Sequence, residues 1–144
     1  MILYEGTKAV DDRGILTFVN DFDFNGVKRH YTVTNFQNHF VRAWHAHKLE
    51  SKYVQVIRGA AIVAAFPVTD WEGRGNPAEI SRYILSEEKP SVLFIPKGYA
   101  NGFMNLLPNT QLMYFSTTSV EESKNDDYRF SADLFRYIWE IEER

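Results

Sequence analysis

A chain of 144 residues in which 44% are hydrophobic and 15% aromatic has the material for one packed core, which excludes a disordered segment. The absence of cysteine excludes disulfides, thiolate metal sites and cysteine nucleophiles. Net charge is -3, with eight Lys/Arg against six Asp/Glu over residues 1–60 and four against eight over 121–144, which excludes a broad basic surface for nucleic acid but allows a local anion site among Arg13, Lys28, Arg29, Arg42 and Lys52.

In chain order, the first residues lack both a basic leader and an apolar signal stretch, and nothing approaches the roughly 18 apolar residues of a membrane span. A soluble cytoplasmic protein is the expectation. Nine short segments rich in β-branched and aromatic residues then follow, at 15–18, 28–36, 41–47, 53–58, 60–67, 78–85, 91–96, 102–106 and 111–118. Each is bounded by Gly, Pro, Asn or Asp, so each reads as a strand, and their spacing predicts an all-β sandwich or barrel. Residues 71–77 and 107–110 read as loops. The tail at 132–142 has helical apolar spacing, although an edge strand ending at Trp139 fits it equally. No repeat or linker divides the chain, so residues 1–144 are expected to form a single domain.

The chemistry concentrates in RAWHAHKLESKYVQVIRG, residues 42–59. His45 and His47 are two apart, so on a strand their side chains leave the same face. Such a pair opens either a metal site or an acid–base site. A divalent cation wants neutral imidazoles and carboxylates, and Lys52 brings an ammonium instead. The segment is similar to the first motif of cupins, with His45, His47 and Gly59 in frame and Lys52 where that motif has glutamate. IPKGYANGF, residues 95–103, is similar to the second motif, with Pro96, Gly98 and Asn105 in frame and Asn101 where it has a third histidine. The resemblance implies a double-stranded β-helix barrel. The substituted ligand positions predict no metal, and no cofactor is expected.

The same groups suit proton chemistry on an anion. Histidine accepts or donates a proton near neutral pH, and a fixed cation such as Lys52 stabilises an enolate oxygen. Asp126 and Asp127 are the carboxylates that could orient a basic histidine. Arg42 lies three residues before His45, so strict alternation points it to the other face unless a bulge intervenes. His30 and His39 read as surface residues. Trp71, Phe103 and Tyr114 could stack on a base or sugar, but aromatics at strand positions ordinarily fill the core. Asn101, Gly98 and Gly102 read as turn residues.

Over nearly its whole length the sequence resembles cupins of the dTDP-4-dehydrorhamnose 3,5-epimerase group. DDRG (residues 11–14) is similar to their D-x-R-G opening, VRAWHAHK (41–48) to R-G-L-H-Y-Q, and IPKGYANGF to I-P-x-G-F-A-H-G-F. The resemblance implies a base at His45, supported by Asp127 or His47. It also implies an enolate or diphosphate held by Lys52 and Arg42, and a diphosphate contact from Arg13 of the same or a partner subunit. It implies homodimers that exchange N-terminal strands, in a deoxysugar and surface-polysaccharide pathway. One departure stands out: the epimerases' acid tyrosine follows a strand ending Y-x-T-T, whereas YFSTTSVEES (114–123) offers no tyrosine before Tyr128. VKRHYTV (27–33) together with RAWHAHK is similar to sugar 3,4-ketoisomerases instead, which implies a site role for Tyr31 and for both histidines. Asn101 and Tyr114 complete the expected substrate contacts. Both chemistries begin by enolising a 4-keto sugar. The rival from another class is a barrel that binds sugars without catalysis.

Overall fold

The structure is a computed structural model that describes residues 1–72 and 79–144. Its strands in chain order are β1 (Ile2–Glu5), β2 (Thr7–Asp11), β3 (Gly14–Phe18), β4 (Arg29–Thr34), β5 (Val41–Ala46), β6 (Lys52–Arg58), β7 (Ala60–Pro67), β8 (Ser81–Ser86), β9 (Ser91–Ile95), β10 (Tyr99–Asn105), β11 (Gln111–Ser116) and β12 (Tyr128–Arg129). One short helix, α1 (Val120–Lys124), precedes β12, and a 3-10 turn spans Arg136–Trp139. The strands form two five-stranded antiparallel sheets, β1-β9-β6-β11-β4 and β12-β5-β10-β7-β8, while β2 and β3 pair only with each other. Successive strands repeatedly change sheet, the pattern of a jelly-roll barrel. Gly59 makes one such change between β6 and β7. Its φ is +80°, and a β-carbon there would run into Thr110.

Two apolar layers follow from alternation. Val54, Val56, Val63, Leu93, Ile95, Phe103 and Leu112 point between the sheets. On β7, the intervening Ile62, Ala64 and Phe66 point outward, where Trp44, Ile138 and Trp139 cover them. A strand buried on both faces reads as the continuous apolar run AAIVAAFP rather than as an alternation. The tail therefore neither continues a helix nor joins an edge. It lies across the second sheet, where Trp44 Nε1 donates to the Leu134 carbonyl at 3.0 Å and Arg82 Nε to the Ile138 carbonyl at 2.8 Å.

All nine expected strands are present, with shifted ends. The strand expected over 78–85 is observed at Ser81–Ser86, and part of the 71–77 loop lies outside the described residues. β1, β2, α1 and β12 were not anticipated. Helix α1 is bounded by a capping box, in which Ser119 accepts from the Glu122 N–H and the Glu122 side chain from the Ser119 N–H. Among the described residues no helix is long and apolar enough to cross a membrane.

Candidate active site

At one end of the barrel the two inner faces diverge around a cavity of about 300 Å³. Register determines which side chains meet there. Across the first sheet, Arg29, Ser116 and Lys52 are direct neighbours on β4, β11 and β6, and Tyr31 lies opposite Tyr114. The two phenol rings stack at 5.2 Å. Across the second sheet, His45 lies between Asn101 on β10 and Arg129 on β12. Asn101 Nδ2 donates to the His45 carbonyl at 3.0 Å, which fixes the backbone behind the ring.

The bulge that Arg42 required is present. Arg42 and His45 are three positions apart on β5, while their partners Phe103 and Asn101 are two apart on β10. The extra residue restores Arg42 to the cavity side. Gly102 makes room for it, because a β-carbon there would sit 2.5 Å from the Ala43 β-carbon and 2.8 Å from the Arg42 carbonyl oxygen. Gly98, with φ +83°, is the turn residue expected, whereas Gly102 belongs inside β10.

The two histidines have different surroundings. The His45 ring has no hydrogen-bond partner among the described residues and lines the cavity. Burial, then the charges of Arg129 and Lys52, push its pKa down to about 4, so it is a neutral imidazole at physiological pH. His47 is enclosed, with Nδ1 2.6 Å from the Asp126 carbonyl and Nε2 3.0 Å from Glu50 Oε2. A carbonyl and a carboxylate both only accept, so this geometry holds a proton on each ring nitrogen of His47. Burial and Lys52 push the His47 pKa down, with Glu50 opposing them. Neither His47 nitrogen is left for a substrate.

Glu50, absent from the expected set, is the most connected group below the cavity. Its side chain is fully enclosed and meets Arg29 (3.2 Å), His47, Ser123 (3.1 Å), Ser116 and, at 3.9 Å, Lys52. The carboxylate that the spacing denied at position 52 is thus supplied two residues earlier and held by its neighbours. The described residues contain no group of three or more His, Asp or Glu arranged to hold a metal ion. Burial lowers the Lys52 pKa and Glu50 opposes that effect. Burial also raises both phenols, Tyr31 to about 12, so they remain proton donors at neutral pH.

Of the expected residues, His45, His47, Lys52, Asp127, Tyr31, Arg42, Asn101 and Tyr114 all line this cavity. Asp127 bonds Arg129 at 2.9 and 3.1 Å rather than His45, and that contact holds its pKa low. Asp126 bonds the backbone N–H groups of Lys48 and Leu49, shaping the turn that carries Glu50. Arg13 is not brought to this chain's cavity. It sits exposed in the β2–β3 turn, paired with Asp11. Lys28 pairs with Glu122 on the surface. Trp71 packs on Tyr128 and Lys48 outside the cavity, and Phe103 belongs to the inner core while also lining the cavity. Lys124 and Arg129 also line the cavity and were missed, although DDYRF places Arg129 beside the expected aspartates.

The barrel mouth thus gathers a neutral imidazole, an enclosed lysine and two cations without ion pairs among the described residues, in a concave cavity of small-molecule size. The model of the dTDP-4-dehydrorhamnose 3,5-epimerase family matches residues 1–143. The chain belongs to that family, whose members are isomerases of dTDP sugars with the cupin jelly-roll fold. It is 27% identical to the spore coat polysaccharide biosynthesis protein SpsL of Bacillus subtilis over 95% of this chain and 93% of that protein. Among solved structures it is similar to the dTDP-4-dehydrorhamnose 3,5-epimerase of Bacillus anthracis with TDP and pyrophosphate bound, at 23% identity and a TM-score of 0.73, covering 93% of this chain and 80% of that one. It is also similar to the QdtA 3,4-ketoisomerase of Thermoanaerobacterium thermosaccharolyticum, at 17% identity and a TM-score of 0.67, covering 95% and 89%.

Proposed function

We propose that the protein removes and returns a proton beside the ketone of a nucleotide-linked 4-keto-6-deoxysugar. The observation that carries this reading is His45, an unpartnered neutral imidazole facing the same cavity as Lys52. His45 takes the proton from C3. The C3–H electron pair becomes the C3=C4 double bond, and the carbonyl pair moves to O4, where the Lys52 cation stabilises it. Tyr31 is the protonated phenol on the opposite wall, able to return a proton. Arg42 and Lys124, which make no ion pair among the described residues, are free to meet a diphosphate. The polysaccharide role in the name of the Bacillus subtilis relative supports a place in surface-polysaccharide synthesis, carried out in the cytoplasm.

Incubation with dTDP-4-keto-6-deoxyglucose in deuterium oxide tests the reading. Deuterium should enter C3, and His45→Ala should slow that exchange at least about 100-fold, the low end for loss of a general base. Deuterium at C5 as well marks a 3,5-epimerase, and a 3-keto product marks a ketoisomerase. A wild-type protein that binds dTDP yet exchanges no proton with any 4-keto nucleotide sugar would be a binding barrel, and the enolisation reading would fall.

The functional unit in this reading is a homodimer. The β2–β3 arm pairs with neither large sheet and exposes Val10, Ile15 and Leu16 at 72%, 67% and 63%. A lone two-stranded hairpin with an apolar surface is unstable in water, and a second copy would cover it. The arm would then carry Arg13 toward the partner's cavity. Sedimentation should give a dimer that Leu16→Asp converts to monomer, and a monomeric wild type at micromolar concentration would refute the assignment.

A further inference from the structure

We propose that Glu50 is a positioning residue of this site, tying down the His47 ring and holding Lys52 as the cation that faces the reacting oxygen. The part concerning the reacting oxygen rests on the enolisation reading above; the part concerning charge stands on geometry alone. Glu50 has no exposed side-chain surface and sits where three cationic or basic groups from three segments converge: Arg29 on β4, His47 after β5 and Lys52 on β6. The hydroxyls of Ser116 on β11 and Ser123 on α1 donate to its two oxygens, one to each. Each oxygen therefore has at least two partners, and the carboxylate has no freedom to rotate toward a ligand.

The arrangement has two effects. The first concerns His47: with Nδ1 on the Asp126 carbonyl and Nε2 on Glu50, the ring is withdrawn from proton transfer, so a site with two histidines has one base. The second concerns Lys52, which is enclosed and faces charges of both signs. Burial disfavours its ammonium form most, Arg29 and Arg129 add to that, and Glu50, followed by Asp127, favours it. Asp127 is committed to Arg129 at the rim, which leaves Glu50 as the counter-charge beneath Lys52. Without it, an enclosed lysine among arginines loses its proton at lower pH and can no longer balance an oxyanion.

The test uses full-length protein with isotope-labelled lysine, following the Lys52 side-chain amine by NMR against pH in the absence of substrate, with assignment from Lys52→Met. Wild-type Lys52 should be an ammonium at pH 7. In Glu50→Gln, which keeps the shape and loses the charge, Lys52 should titrate at least one pH unit lower, and Glu50→Asp should fall between. With the 4-keto substrate, Glu50→Gln should lower kcat at least tenfold with KM changed less than threefold, and the alkaline limb of the kcat profile should move down with the Lys52 titration. A Lys52 titration unmoved by Glu50→Gln overturns the proposal. So does a wild-type Lys52 already neutral at pH 7, a measurement that does not depend on Glu50→Gln and remains decisive if that variant fails to fold. Exchange absent from wild type, with the Lys52 titration still displaced in Glu50→Gln, removes the enolisation reading and leaves the Glu50 assignment supported.

Discussion

His45 and His47 are chemically identical residues two positions apart, and their neighbours separate their functions. A base must be unprotonated to act, so activity limited by His45 should persist through mildly acidic pH and fall only toward about pH 4. An ordinary histidine, with a pKa of about 6.5, would lose activity two units earlier. Burial lowers the His45 pKa most and the Arg129 charge next, so Arg129→Gln should raise it and move the acid limb of kcat/KM to higher pH. A limb that stays in place would mean that another group titrates. That both histidines face one cavity was legible from their spacing, as was the cation at position 52. Glu50 was not, because the motif spacing puts a carboxylate at position 52, and the residues between His47 and β6 form no strand whose alternation would place Glu50. Their path is set by Asp126, seventy-eight residues from Lys48, and no local pattern records that contact.

Strand β5 performs two tasks that simple alternation cannot combine, presenting Trp44 and Ala46 to the outer apolar layer and both Arg42 and His45 to the cavity. The bulge resolves the conflict, and Gly102 makes it sterically feasible. Gly102→Ala should therefore destabilise the fold by about 1–3 kcal/mol, as overpacking does, and raise KM through displaced Arg42. Denaturant melts and steady-state kinetics on the same preparation would check both effects. An unchanged KM would place Arg42 outside the binding site. Helix α1, with only five residues, depends on its cap. Ser119→Ala should cost about 1 kcal/mol and loosen Ser123 and Lys124 at the cavity rim. The sequence carries this helix openly, since SVEE (residues 119–122) is a capping box. The nine strands were legible because turn residues punctuate them. β1 and β2 were not, because their alternation is weak and β1 is fixed by pairing with β9, ninety residues away in Leu3↔Leu93.

At the scale of the whole molecule, two apolar layers share one sheet. The inner layer is the ordinary filling of a barrel, and composition alone foretold it. The outer layer depends on the tail, where Trp44, Phe66, Phe135 and Trp139 pack ring on ring at 5.1 to 6.3 Å. Trp139→Ala should cost about 3–5 kcal/mol, the range for deleting a buried indole, with loss of the near-ultraviolet circular dichroism of the Trp44–Trp139 pair. A loss under 1 kcal/mol would show that the tail lies passively on the sheet. The apolar content of the tail was legible, but its conformation was not, because a segment with one apolar face fits a helix, an edge strand or a strap until the surface beneath it is known.

That strap also bears on how the protein is made. Trp44 stands on the strand that presents His45, and its indole is hydrogen-bonded to the carbonyl of a residue ninety positions later. A nascent chain that has emerged as far as β11 has every strand of the inner layer, yet the back of β5 is still open to water. The histidine strand is closed only after Trp139 leaves the ribosome, so a polypeptide cut short in its final segment could assemble a barrel and still lack a firmly seated base.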